Sequence, residues 1–212
     1  IVYRMPFGNH IRAHEHHAES MESLFAHVPG IKVVAPSCAQ SAYDLTIAAV
    51  LDNNPVVILE PLSQYHIKST LDVDSPIYSL SKSHTLIPGE DLTLISWGSM
   101  LSHCRRVTEQ LIQQGASIEL IDLVSLAPID FAALIASVKK TGRCVIVQES
   151  CMHCSVATSL AAQLQNMIFP YLRGPIALVS APDAVVPYYQ NTDYFLPSVS
   201  DIRNSCLQAL SN

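Results

Sequence analysis

Asp52-Asn53-Asn54-Pro55-Val56-Val57-Ile58-Leu59 is a helix stop followed by a β-branched run, and its reading sets the fold class. Asn and Asp side chains compete for backbone donors and proline cannot continue a helical ladder, so any preceding helix ends here. Four successive apolar residues, Val56 to Leu59, then read as a strand covered on both faces, the habit of parallel sheets. Just upstream, Ala42, Leu45, Ala49 and Val50 fall near one helical face, which predicts a helix over 41–51 with Ser37 as its cap. Further upstream, residues 1–4 read as a strand, 20–27 as a helix and 32–35 as a strand closing at Pro36.

Downstream, periodicity fades between Gln64 and Glu90, where Ser, Thr, Asp, Pro and Gly punctuate the chain; this reads as a linker with a short edge strand at 77–80. A second unit starts with a strand at 92–96, turns at Gly98 and continues as a helix over 101–114 that stops at Gly115. A strand at 118–123 follows, then a helix from the Asp130 cap to Lys140 that ends at Gly142, and a strand at 144–147 leading to Glu149. Residues 155–167 read as a helix, 176–179 as a strand, and 200–210 as a helix capped by Ser200. Strands alternating with crossover helices define an α/β fold. The second unit has enough elements for three layers, whereas the first has too few to close a core alone. The expected division is a partial domain over 1–75, a linker over 76–90 and a domain over 91–212.

Composition narrows the function. Of 212 residues, 49% are hydrophobic and 14% charged, with a formal net charge of -6, which argues against a phosphate-backbone partner. No apolar run approaches the roughly 20 residues of a membrane span, so no membrane association is expected. Six cysteines scattered in apolar surroundings fit reduced thiols in a reducing compartment. The opening IVYRMPFG reads as a strand without a capped lead-in, as if the segment began part-way into a domain.

Three stretches carry a family resemblance. Residues 11–20, Ile-Arg-Ala-His-Glu-His-His-Ala-Glu-Ser, with Leu24-Phe25-Ala26-His27-Val28-Pro29-Gly30-Ile31-Lys32-Val33-Val34-Ala35-Pro36, form the first. Asp52 to Pro61 forms the second. The third is Gly89-Glu90-Asp91-Leu92-Thr93-Leu94-Ile95-Ser96-Trp97-Gly98 together with Ile121-Asp122-Leu123, Leu126-Ala127-Pro128-Ile129-Asp130 and Val138-Lys139-Lys140-Thr141-Gly142-Arg143. In order and spacing these are similar to the beta subunit of the thiamine-diphosphate-dependent decarboxylating component of 2-oxo acid dehydrogenase complexes, a branch of the transketolase superfamily. The resemblance implies the C-terminal part of a thiamine-binding pyrimidine-type domain, followed by a transketolase C-terminal-type three-layer domain.

It further implies a subunit active with an alpha subunit, in an α2β2 heterotetramer that serves a lipoyl acyltransferase core. Thiamine diphosphate and Mg²⁺ would be shared with or held by the alpha subunit, and the reaction would be oxidative decarboxylation of pyruvate or a related 2-oxo acid with acyl transfer to a lipoyl group. The location would be cytoplasmic in a bacterium and the mitochondrial matrix in a eukaryote. His17 stands where the family has its active-site histidine, and imidazole suits proton transfer near neutral pH. Where the family has Ser-Gln after that histidine, this chain has Ala18-Glu19, an anion in place of an amide beside the cofactor, which favours the protonated form of His17. The family's glycine cluster before the histidine is reduced to Gly8-Asn9-His10-Ile11-Arg12-Ala13-His14, and its cofactor-activating glutamate corresponds to a position before residue 1. At the helix end, the family holds K⁺ through main-chain oxygens, a role that falls on Ala49, Asp52 and Asn54; an ordinary helix stop explains the same residues.

Other chemistries compete. His10, His14, His16 and His17 invite a zinc site, although the His-Glu-x-x-His helix spacing is absent. Cys151-Met152-His153-Cys154 occupies the strand-to-helix position of a thioredoxin-like dithiol without the Gly-Pro between its cysteines; small residues filling a tight loop account for it equally. Gly98-Ser99-Met100 lacks the Gly-x-Ser-x-Gly elbow of a serine hydrolase. His27 reads as a packing or interface residue, and Asp183 and Pro187, beside Tyr188 and Tyr189, resemble a family loop at the subunit interface. A catalytically weak homologue acting in assembly is the alternative to the enzyme.

Overall fold

The computed structural model describes residues 1–9, 18–188, 191 and 194–212. Two sheets organise it. The first has the order β1-β3-β2-β7, built from β1 (Val2–Phe7), β3 (Val56–Pro61), β2 (Lys32–Val34) and β7 (Ser125–Ala127). The second has the order β4-β6-β5-β8-β9, from β4 (His84–Ile87), β6 (Ile118–Asp122), β5 (Leu92–Ser96), β8 (Cys144–Cys151) and β9 (Ala177–Ala181). All pairings are parallel except the β2–β7 and β4–β6 edges. The α/β class read from the alternating segments is the class observed.

Strand alternation sorts the second unit into three layers, since successive side chains leave a strand on opposite faces. Leu92 and Leu94 of β5, with Val145 and Val147 of β8, pack against α3 (Met100–Gln113) and α6 (Val199–Leu210). Ile95, Trp97 and Ile146 face the other way, onto α4 (Phe131–Thr141) and α5 (Val156–Ile168). On that face Thr93 joins a buried hydroxyl cluster, with its Oγ1 2.7 Å from Ser137 Oγ and 2.8 Å from Thr141 Oγ1.

The first unit carries α1 (Glu22–Ala26) and α2 (Ala39–Leu51), and α2 packs on its sheet in a cluster of Val34, Leu45, Ala49, Val56 and Ile58 that also takes in Leu80 and Val124 from later in the chain. Phe7, Val33, Val57 and Leu59 from its sheet share one apolar cluster with Trp97, Leu123, Leu134 and Leu160 of the second unit. Strand β7 comes from the second unit yet pairs with β2 of the first. A turn at Leu123–Val124 redirects the chain from one sheet to the other, with Val124 at φ 55°.

Four local expectations change. Helix α2 starts at Ala39 and is capped by Cys38 in a reciprocal pair with Ser41, because the Ser37 hydroxyl is engaged by the Asp122 carboxylate instead. Residues 77–80 form no strand; the edge strand is β4, antiparallel to β6. Helix α6 takes Ser198, not Ser200, as its cap, with Asp201 closing the capping box. Strand β7 carries no sequence signal, its three residues being too short to show a period. The connection before β4 is pinned by Gln40, which exchanges hydrogen bonds of 2.9 and 3.0 Å with the Asp72 backbone, and by Ser125 Oγ on the Leu80 carbonyl at 2.8 Å.

Candidate active site

The carboxyl ends of parallel strands are where open α/β sheets gather their polar groups. Here β1 ends in Phe7-Gly8-Asn9, β5 in Trp97-Gly98-Ser99, and β8 carries Glu149-Ser150 near its end; all three meet. Glu149 is buried, and its carboxylate accepts the Asn9 backbone N–H on one oxygen and the Ser99 hydroxyl on the other. Trp97 donates its indole N–H to Glu22 Oε1 at 3.2 Å, while Glu22 Oε2 is buried without a hydrogen-bond partner among the described residues. The Ser150 hydroxyl donates to the Ser20 carbonyl at 3.3 Å, and the Gly8 N–H donates to the Glu19 carbonyl at 3.2 Å.

Geometry at Gly8 and Gly98 explains their glycines. Gly8 has φ +90°, and a Cβ there would lie 2.8 Å from Glu149 Oε1; Gly98 has φ +55°, with Phe7 Cζ 3.2 Å from the position of a Cβ. Electrostatics follow from burial. Desolvation raises the Glu22 carboxyl to about 7, opposed by its hydrogen bonds and reinforced by the charge of Glu149. Burial also raises Glu149, against the bonds from Ser99 and Asn9.

Two cavities flank this cluster. A smaller one of about 230 Å³ lies between residues 18–24 and the end of β8, with Glu19, Ser20, Glu149 and Cys151 in its wall and the Ser20 hydroxyl buried without a partner among the described residues. A larger, mainly apolar one of about 500 Å³ runs between α1 and α5, past His27, Phe131 and Cys154.

His17 lies outside the described residues, as do His10, His14, His16 and Tyr189; among the described residues no cluster of three or more His, Cys, Asp or Glu could hold a metal. Glu19 is exposed at the smaller cavity, next to buried Ala18. Ala49, Asp52 and Asn54 do come together: the Asp52 N–H reaches the Ala49 carbonyl at 3.3 Å, and Asp52 Oδ1 takes both Asn54 N and Nδ2 at 2.8 Å. The other Asp52 oxygen holds the Lys32 ammonium, and these donors, Lys32 first, lower the carboxyl to about 2. His27 is exposed and uses Nδ1 on the Ser23 carbonyl at 3.0 Å. Cys151 and Cys154 are free thiols, and Asp183 accepts the His153 N–H at 2.8 Å, so it shapes the Cys151–Cys154 turn. Sequence reading missed Glu22, Trp97, Ser99 and Glu149. The available signal was a Glu ending an otherwise apolar strand, and a Glu in the first turn of a helix beside apolar neighbours.

Residues 1–68 match the transketolase pyrimidine-binding domain, and residues 81–202 match the transketolase C-terminal domain. The chain belongs to the transketolase family. Its relatives include the Bacillus subtilis protein named pyruvate dehydrogenase E1 component subunit beta, 35% identical over 99% of this chain and 65% of the relative. The protein of the same name from Staphylococcus epidermidis is 37% identical over 95% of this chain and 62% of its own length. The chain therefore spans somewhat less than two thirds of these relatives. Among solved structures, a split-gene transketolase described as an inactive beta4 tetramer superposes with a TM-score of 0.83 at 19% identity, covering 99% of this chain and 66% of that one. At that identity the likeness speaks for the transketolase-family fold alone. Within that fold, the Gly8, Trp97, Glu149 cluster sits where the pyrimidine-binding and C-terminal domains meet.

Proposed function

We propose that this chain is the beta-type subunit of a thiamine-diphosphate-dependent 2-oxo acid dehydrogenase, with pyruvate as substrate, working with an alpha subunit as an α2β2 heterotetramer and passing the acyl group to a lipoyl acyltransferase core. The observation that carries it is the 35% identity to a pyruvate dehydrogenase E1 beta subunit, which runs through both domains over 99% of the chain.

Thiamine diphosphate, when bound, supplies the stabilisation of the carbanion left by decarboxylation. The smaller cavity suits one end of it. Glu19 and the Ser20 hydroxyl, which has no hydrogen-bond partner among the described residues, offer acceptors and negative charge, which fit an aminopyrimidine donor and a thiazolium cation. Among the described residues neither Lys nor Arg lines that cavity, and in this proposal the alpha subunit holds the diphosphate and its Mg²⁺. His17 moves a proton or steers the lipoyl group, and the Glu19 carboxylate two residues away favours its protonated form. A structural K⁺ at Ala49, Asp52 and Asn54 completes the reading.

The test is pyruvate decarboxylation by the full-length chain co-expressed with an alpha subunit, with and without thiamine diphosphate. Cofactor-dependent turnover that His17→Ala reduces by roughly 100-fold or more is expected. Assembly of the complex without any turnover would instead establish the weak assembly homologue, which the Ala18-Glu19 exchange favours.

A further inference from the structure

We propose that Glu149 is a positioning residue that fixes the entry to the segment carrying His17, while its neighbour Ser150 holds the exit; the catalytic part of this inference rests on the function proposed above. Residues 9 and 18 are the described ends of that segment, and the second unit holds each side of it. At the entry, the Asn9 backbone N–H donates to Glu149, and Gly8 closes onto the same carboxylate so tightly that a Cβ would sit 2.8 Å from its oxygen. Across the base, the Gly8 N–H donates to the Glu19 carbonyl at 3.2 Å, tying entry to exit. At the exit, Ser150, the next residue after Glu149, donates to the Ser20 carbonyl at 3.3 Å. The second Glu149 oxygen takes the Ser99 hydroxyl, which fixes the carboxylate's own orientation.

The chemistry of the acceptor is specific. A buried backbone N–H needs a partner, and the strand ladder supplies none past Phe7, the last residue of β1. A side-chain amide of the same length can accept the Asn9 N–H through its oxygen and donate to Ser99 Oγ through its nitrogen, since a hydroxyl serves as donor or acceptor. The role is thus one of shape and hydrogen bonding, and Gln can fill it where Ala cannot.

The full-length chain, in complex with its alpha subunit, is compared as wild type, Glu149→Ala and Glu149→Gln. Hydrogen exchange in peptides covering residues 7–21 is expected to accelerate by roughly tenfold or more in Glu149→Ala, with exchange in 92–96 unchanged. In the same variant kcat falls by roughly 100-fold with KM little altered. Glu149→Gln recovers most of both losses and leaves the pH profile of kcat in place. Unchanged exchange in Glu149→Ala overturns the clamp, and a shifted pH profile in Glu149→Gln overturns positioning in favour of a proton-transfer role. Should Glu149→Ala fail to fold, Ser99→Ala removes only the hydroxyl that orients the carboxylate, and the same local exchange readout decides. Absence of turnover in the wild-type complex would sink the proposed function, while the exchange measurement still judges the clamp.

Discussion

Trp97 and Glu22 meet across the domain boundary, with the indole N–H 3.2 Å from one carboxylate oxygen and both residues almost wholly excluded from solvent. The only tryptophan in the chain thus reports on the contact between the two units. A carboxyl buried this deeply, with one oxygen lacking a hydrogen-bond partner among the described residues, favours its neutral form, because the cost of desolvating the charge outweighs the hydrogen bonds it accepts.

Stability should therefore fall as pH rises through neutrality. Burial lifts Glu22 from an ordinary 4.5 to about 7, so the folded state keeps a proton that the unfolded chain releases. The contribution is fully present below about pH 4.5 and is lost as pH climbs through about 7, amounting to about 3 kcal/mol at most. Asp122, lifted to about 7 mainly by burial, acts in the same sense. Urea unfolding between pH 5 and 8 is expected to show the decline, and Glu22→Gln should flatten part of it. An unaltered slope in Glu22→Gln would assign the effect elsewhere.

Gly89→Ala is expected to be among the most damaging single substitutions. A Cβ there would sit 2.2 Å from the Ile118 carbonyl carbon and 2.3 Å from Glu119 N, and backbone cannot step aside as a flexible side chain can. The loss should be about 3 kcal/mol, read as a lower denaturant midpoint at constant m-value.

Thr93→Val keeps the β-branched shape and removes the hydroxyl shared by Ser137 and Thr141. Since a buried polar group deprived of its partner costs about 1–3 kcal/mol, a loss near the lower end is expected, because Thr141 keeps its bond to the Arg143 carbonyl. Thermal unfolding of the complex measures it, and a stabilised variant would refute the cluster's contribution.

The proposed K⁺ site makes a sharp contrast with an ordinary helix stop. Replacing K⁺ by tetramethylammonium at equal ionic strength should lower the unfolding midpoint if the Ala49–Asn54 turn binds the ion through its main-chain oxygens, and Asp52→Asn, which alters only a side chain, should leave that difference in place. The Lys32 ammonium already lies against Asp52, so equal midpoints in the two salts would leave that ion pair as the turn's sole cation.

What the sequence disclosed tracks physical range. Runs such as Val56 to Leu59 and Leu92 to Ser96 declare buried parallel strands because burial on both faces leaves its mark on consecutive residues. Asp130 and Gly142 declare the ends of α4, since caps act within one turn, and the structure bears out both, with Gly142 at φ 71°. Partnerships between distant segments leave no such local mark. Ser37 looked like a helix cap until Asp122, 85 positions away, claimed its hydroxyl. Glu149 likewise gives no hint of Asn9, 140 positions earlier, because the strands that lead to them belong to different sheets.

The three residues of β7 bear on how this protein could be divided. Because they complete the sheet of the other unit, a cut between residues 75 and 90 would separate β2 from its neighbour and expose a row of unpaired amides and carbonyls. Either fragment would then carry a sticky flank, so the halves are better regarded as one folding unit whose seam is stitched by its own later chain.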